Sequence, residues 1–486
     1  MTKDEQLRQE AYEQIEKNKN LVDQDPYRLT YHIMPPVGLL NDPNGFIQVN
    51  GVFHLYYQWM PFKTDHGAKF WGHYSSEDLV NWRHESIALT PSEWYEKNGC
   101  YSGSAIEYKG KIYAFYTGNV KDEQGNRETY QCLAISEDGI HFNKKGPLIY
   151  LPEGFTAHFR DPKVWKQEET YFMVIGAQTK DLKGAIALYQ SKDLLNWTYR
   201  GILVGGGKGE LQEFGYMFEC PDLFHLDGKD ILVFSPQGIE TQGMKYQNVY
   251  QAGYVIGDFD PKTGEYRHQE FEELDRGFDF YAPQTTIDSK GRRLLFGWMS
   301  VPDQHEQDHP TIEYKWIHNM TLPRELKLVS GKVYQVPVDE LDQLRCSEVV
   351  SHTVKLTKES QELNGIHGKS VELNIQDIEI AEGWMEISIS DGGRIIYSAD
   401  EKVISFERKS YVDGTTEKRQ CLLSGLKNLR IFIDTSSVEI FINDGLETFT
   451  SRIYPSPKND KITFGASKDA SFTAFKWDLN VKNVNI

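Results

Sequence analysis

Apolar and aromatic runs such as "GVFHLYYQW", "KIYAFYTG" and "TYFMVIGA" alternate with short polar breaks along most of the chain. Val, Ile, Tyr, Phe and Trp suit a pleated, half-buried surface, and Gly, Asn and Asp mark turns, so these runs predict β-strands. One exception is the opening "MTKDEQLRQEAYEQIEKNKN", which is charged throughout and predicts a short helix within a segment 1–28. The strand runs also recur. "SSEDLVNW" (75–82) and "QSKDLLNW" (190–197) are near copies, and "ISEDGIHF" (135–142) is a looser third. A second series has a polar or small residue near Pro, a short strand, a polar turn and an aromatic strand. Its opening residues Asp42, Ser102, Asp161, Glu219 and Tyr281 are separated by steps of 60, 59, 58 and 62. Five units of about one antiparallel sheet each predict a five-bladed β-propeller over 29–335. One long irregular sandwich would not explain the regular step. From 345 to 486 the strands alternate apolar and polar residues between Ser/Gly and Asn-Asp-Gly turns, which predicts a C-terminal β-sandwich. Within it, "VEIFINDGLETFT" predicts a hairpin turning at Asn443-Asp444-Gly445. The fold class is therefore all-β.

The propeller prediction has a chemical consequence. Residues opening the innermost strand of each blade ring the axis at one end, so Asp42, Asp161 and Glu219 are expected in equivalent slots of one funnel. Three unpaired carboxylates are costly to bury, and a structural protein avoids the arrangement. "LLNDPNGF" alone reads as a tight turn, because Asn, Asp, Pro and Gly each favour turn geometry. The repeat register turns Asp42 into a candidate catalytic carboxylate.

Composition narrows the partners. Lys plus Arg is 53 against 71 Asp plus Glu, a net charge of −18, which argues against nucleic acid or an anionic membrane. Aromatic residues make up 13%, as suits strands and sugar-stacking platforms. The five cysteines lack C-x-x-C spacing and predict free thiols in a reducing compartment. The N-terminus has no apolar signal-peptide core and no run approaches the ~20 apolar residues that span a bilayer, so a cytoplasmic location is expected. His66 and His73 lack a third ligand, so neither metal nor cofactor is expected.

"LLNDPNG", "FRDP" and "FECPD", in that order and spacing, resemble the three hallmark motifs of glycoside hydrolase family 32, which includes invertases, fructanases and sucrose-6-phosphate hydrolases. "YYQWMPF", "KFWGH", "YSGSA", "FDFYAPQ", "GWM", "LPREL" and "SSVEIFINDG" extend the resemblance over nearly the whole chain. "HIMPPVGLLNDPNG", "FKTDHGAKFWGHY" and "GNRETYQCLAISEDG" are similar to the bacterial sucrose-6-phosphate hydrolase group. The resemblance implies a propeller followed by a sandwich, and retaining cleavage of the β-fructofuranosidic bond of sucrose 6-phosphate and sucrose. It implies Asp42 as nucleophile, Glu219 as acid/base and Asp161 as the carboxylate gripping fructose, with Arg160 keeping Asp161 and Asp42 ionised. Leu40, Asn41, Gln58, Trp71, Tyr101, Ser102, Arg160 and Tyr281 are implied to line the sugar pocket, with Trp71 offering a flat face to a ring. In "KTDHGAK", Lys63, His66 and Lys69 are expected near the pocket mouth as candidate phosphate ligands; a solvated basic loop is the alternative. Rival readings are an invertase, fructanase or fructosyltransferase without phosphate preference, and a non-catalytic carbohydrate-binding propeller. Either a monomer or a homodimer fits the sequence.

Overall fold

The computed structural model describes residues 1–207 and 209–481. The chain forms a five-bladed β-propeller followed by a β-sandwich. The helix Lys3–Asp23 precedes both; Thr2 and Glu5 close a capping box at its start. Arg8 donates to the Ile87 carbonyl and the Thr90 hydroxyl donates to Asp4, fixing the helix to the outside of the first blade.

The inner strands are Gly38–Val49, Cys100–Tyr108, Phe155–Gln167, Met217–Leu226 and Tyr281–Ile287. Each packs against the next, and the fifth closes on the first. Apart from one short strand, each blade is built from one continuous stretch of chain. An extra parallel strand, Trp316–Ile317, leaves the fifth blade and pairs with Gly38–Leu39 of the first. The last blade strand runs Lys332–Pro337.

The near-copies "SSEDLVNW" and "QSKDLLNW" are one turn built twice. Ser76 and Ser191 donate to Asp78 and Asp193 at 3.0 and 3.1 Å, and each Asp accepts from Asn three residues on. Leu79 and Leu194 occupy the left-handed region at φ +65° and +67°. In the looser copy that position is Gly139, with φ +78°.

All five inner strands slip register at the same height, a β-bulge that re-aims the side chains there. The prolines of these bulges, Pro43, Pro162, Pro221 and Pro283, align the blades. Gly103 takes the slot in blade two, where a Cβ would lie 1.9 Å from the Phe115 carbonyl oxygen. This alignment corrects the expected register. Asp42 and Asp161 share a slot with Ser102, Cys220 and Ala282. Glu219 stands one position earlier, in the slot of Asn41, Tyr101, Arg160 and Tyr281. In blades three to five the bulged residue is left-handed, at φ +68°, +48° and +47° for Asp161, Cys220 and Ala282.

The sandwich is two six-stranded sheets around a separate apolar core. Its hairpin Ser437–Ile442 and Glu447–Arg452 turns through Asn443 and Asp444, both left-handed, and Gly445. Buried charges join it to the propeller. His32 bonds Asp434 at 2.9 Å and Glu439 at 3.1 Å, and Arg324 bonds Glu439 at 2.5 Å and Asp275 at 3.2 Å. Arg408 pairs with Asp279 at 2.5 Å.

Burial alone would lower the His32 pKa; the bonds and charges of Asp434 and Glu439 outweigh it and raise it above 6.5. Asp434 and Glu439 are held below their ordinary values, against the effect of burial, by His32 and, for Glu439, Arg324. The His32 contribution is therefore complete below pH 6.5 and fades as pH rises through its folded-state pKa, whereas the carboxylate contributions fade on acidification. Removing one partner of a buried pair costs about 3–5 kcal/mol. His32→Leu is expected to destabilise the protein by that order near pH 6, with a smaller deficit at pH 8.5. Urea unfolding at the two pH values measures this; a deficit that grows with pH would contradict it.

Candidate active site

The bulges bring two polar rings to one end of the axis. In the inner ring, Asp42 accepts from the Ser102 hydroxyl at 2.5 Å and from the Asn41 amide at 3.2 Å. Asp161, only 6% exposed, accepts from the Cys220 backbone N–H at 3.0 Å. Its own N–H donates to Thr117 at 3.0 Å. The Cys220 sulfur lies 3.7 Å from Asp42 and 3.6 Å from Asp161, between the two carboxylates. The thiol is thus part of the site's floor; its identity with the Asp slot of the other blades is the signal that would have placed it there.

The outer ring is organised by Glu219, on which four donors converge. Arg160 reaches one oxygen through Nε at 2.9 Å and Nη2 at 2.6 Å. Gln237 and the Tyr281 hydroxyl reach the other at 2.8 and 2.6 Å. Arg160 therefore bonds Glu219 directly, while its charge also favours ionised Asp161 as the sequence led one to expect.

Burial, first, and the neighbouring Glu219 charge raise the Asp42 pKa, against the hydrogen bonds of Ser102 and Asn41. Asp161 is pushed up to about 7 by burial and by Glu219 and Asp42, against the Arg160 charge. Cys220, buried beside these carboxylates, is pushed well above the usual thiol range. Perturbed groups of this kind, gathered in one funnel, mark a candidate catalytic centre.

Several expected pocket residues have other work. Leu40 is 0% exposed and packs in the propeller core, so it presents no surface to a ligand. Trp71 is also fully buried, packed against Tyr56 and Tyr116, and its indole N–H donates to the Tyr101 carbonyl at 3.0 Å. It positions Tyr101 and offers no free face. Gln58 donates to the Cys100 carbonyl at 2.8 Å, fixing the strand that carries Ser102. Tyr101 itself is half-buried.

The three basic residues of "KTDHGAK" separate. Lys63 is exposed and pairs with Asp65 at 3.2 Å. His66 bonds Glu306 at 3.1 Å. Lys69 is buried and donates to Asn41 at 2.8 Å, so it stands behind the Asp42 carboxylate. Burial pushes Lys69 down to about 7, opposed by the charges of Glu306 and Asp42. None of the three is a free cation at the mouth. Among the described residues no group of three or more His, Cys, Asp or Glu is placed to hold a metal ion.

Residues 32–337 match the glycosyl hydrolases family 32 N-terminal domain, and residues 340–483 match the glycosyl hydrolases family 32 C terminal. A sucrose-6-phosphate hydrolase of Bacillus subtilis (strain 168) is 51% identical over 476 residues, 98% of this chain and 99% of that one. One from Salmonella typhimurium is 43% identical over 92% of each chain. Among solved structures, the sucrose-6-phosphate hydrolase from Lactobacillus gasseri superposes with a TM-score of 0.87 at 32% identity, over 97% of this chain and 96% of that one. A family 32 β-fructofuranosidase of Bombyx mori, in a mutant form in complex with sucrose, gives a TM-score of 0.84 at 33% identity over 98% and 99%.

The raised Asp161 pKa has a cost in stability. Between pH 3.8 and about 7 the folded chain holds a proton that the unfolded chain releases, so stability falls as pH rises across that window. Asp161→Asn removes the buried charge. Its unfolding midpoint at pH 8 is expected above wild type by about 2 °C or more, with the gain shrinking toward pH 4. Calorimetry at both pH values is the measurement. A variant less stable than wild type at pH 8 would mean the ionised carboxylate is held favourably by Cys220 and Arg160.

Proposed function

The chain belongs to glycosyl hydrolase family 32, and from that membership we propose that it cleaves the β-fructofuranosidic bond of sucrose 6-phosphate, and of sucrose, releasing fructose and glucose 6-phosphate or glucose. The observation that carries the reading is the convergence of Asp42, Asp161 and Glu219 with separate sets of donors. A binding propeller has no need for three crowded carboxylates with raised pKa values among them.

In the proposed reaction Asp42 attacks the anomeric carbon of the fructosyl unit. Ser102 fixes one oxygen of the attacking carboxylate and Asn41 the other, and each oxygen keeps a lone pair to offer. Glu219 gives a proton to the glycosidic oxygen as the bond breaks, and a fructosyl ester forms on Asp42. Glu219 then takes a proton from water, which attacks the same carbon and releases fructose with retention. Asp161 hydrogen-bonds fructose hydroxyls, and its charge favours the oxocarbenium-like transition state. Arg160, Gln237 and Tyr281 hold Glu219 in place through both proton transfers. All these groups come from one chain, so the reaction is complete in a monomer. Five unpaired cysteines support a cytoplasmic setting, where phosphorylated sugar is found.

The sucrose complex of the Bombyx mori neighbour favours a second reading, an enzyme indifferent to the phosphate. The ratio of kcat/KM for sucrose 6-phosphate over sucrose separates the two: a large ratio supports the first and a ratio near one the second. For either substrate, Asp42→Asn and Glu219→Gln are each expected to lower kcat by about 10³-fold or more. Sucrose turnover near the wild-type rate in Asp42→Asn would overturn the catalytic reading.

A further inference from the structure

The arginines of this acidic chain donate side-chain hydrogen bonds with one exception among the described residues, and the exception lies beside the active site. Arg127 is the one arginine that donates no side-chain hydrogen bond and meets no carboxylate among the described residues. It is half-buried, and its guanidinium lies over the Tyr101 ring at 5.7 Å. Burial, first, and the charge of Arg160 push its pKa down, and Tyr101 and the more distant Glu219 charge offset this only in part.

The fold puts other cations around it. Arg127 opens the third strand of blade two and sits directly across from Lys121. Successive side chains of a strand alternate faces, so Arg127 shares a face with Thr129 and Gln131. Both of those donate to the Phe159 carbonyl of blade three, at 2.8 and 3.0 Å. That face therefore meets the strand carrying His158 and Arg160, which bond each other at 3.0 Å. His158 is pushed down to about 4 by partial burial and by the charges of Arg160 and Arg127, with Lys121 adding to them. Four basic groups thus face one another. Of the nearby acids, Glu219 is committed to Arg160, Gln237 and Tyr281, Asp122 to Asn126 and Glu128 to Tyr130, while Glu123 at the hairpin turn is exposed and pairs with neither Lys121 nor Arg127.

We propose that Arg127, with Lys121 and His158, receives the 6-phosphate of the leaving hexose; this rests on the reading that the substrate is phosphorylated. Glu219 protonates the glycosidic oxygen, so the leaving hexose lies on the side of Glu219 and Arg160. Its phosphate is carried on the same pyranose ring, within reach of the next groups outward. The planar guanidinium fork matches phosphate oxygens in pairs, which a lysine cannot do. Stacking on Tyr101 holds the fork without using its donors.

The test compares wild type, Arg127→Met, Arg127→Lys and Lys63→Ala on sucrose 6-phosphate and on sucrose, with inhibition by glucose 6-phosphate and by glucose. Unfolding midpoints and sucrose turnover identify any variant that has lost its fold. Arg127→Met is expected to lose about 10–100-fold in kcat/KM on sucrose 6-phosphate beyond any loss on sucrose, mainly through KM. Glucose 6-phosphate should weaken as an inhibitor by a similar factor while glucose does not. Arg127→Lys should recover part of the loss, and Lys63→Ala should keep the wild-type ratio. A wild type that prefers the phosphorylated substrate, with Arg127→Met keeping that preference or losing both activities equally, overturns the site. A wild type that does not distinguish the substrates overturns the substrate reading itself.

Discussion

Like charges gathered at one point of the axis are the constraint around which this propeller is arranged. Asp42, Asp161 and Glu219 would repel one another in a half-dry funnel, and each is held there by its own donors. Ser102 and Asn41 serve Asp42, the Cys220 amide serves Asp161, and Arg160, Gln237 and Tyr281 serve Glu219. These donors come from all five blades, because the bulge at the head of each inner strand aims two consecutive residues at the axis. Compensation is incomplete for Asp42 and Asp161, whose pKa values stay raised. Such residual strain is what a site built for proton transfer and nucleophilic attack retains.

The position of the sandwich follows from how the ring closes. Apart from one short strand, each blade is made from contiguous chain, so no shared blade ties the first to the fifth. The seam is closed by the short strand Trp316–Ile317 alongside Gly38–Leu39, and by the buried charges to the sandwich. His32 lies just before the inner strand that carries Asp42. Asp275 and Asp279 lie just before the strand that carries Tyr281, and Arg324 belongs to that same blade. Glu439 joins His32 and Arg324, so one sandwich carboxylate holds both sides of the seam. The late sequence motifs "LPREL" and "SSVEIFINDG" thus have a mechanical meaning, as a brace under the two blades where the ring could open.

The class of fold and the convergence of Asp42, Asp161 and Glu219 at one end of the axis were legible in the sequence, because strands alternate, blades repeat and turn residues mark each repeat. The errors are those that period cannot detect. Choosing Glu219 in place of Cys220 as the equivalent of Asp161 is a shift of one residue, and only the prolines at 43, 162, 221 and 283 reveal it. Leu40 and Trp71 sit beside pocket residues in sequence, but strand alternation and aromatic packing turn them inward. Lys69 reads as a basic loop residue, yet it is buried against Asn41 behind Asp42. Arg127 did not stand out in the sequence because its distinguishing property is a missing partner, and partners are set by tertiary contacts.

These features divide the labour within the site. The three carboxylates sit on the inner strands, where the bulges and the closed ring fix them against one another. The basic groups sit farther out, on the blade-two hairpin around Lys121 and Arg127 and on the rim of blade three at His158. A hairpin tip can change its charges without moving a bulge, since its backbone is not part of the ring that positions the carboxylates. Arg160 is the exception that joins the two levels. It bonds Glu219 on one side and His158 on the other, so charge arriving at the outer cluster is felt by the carboxylate at the axis.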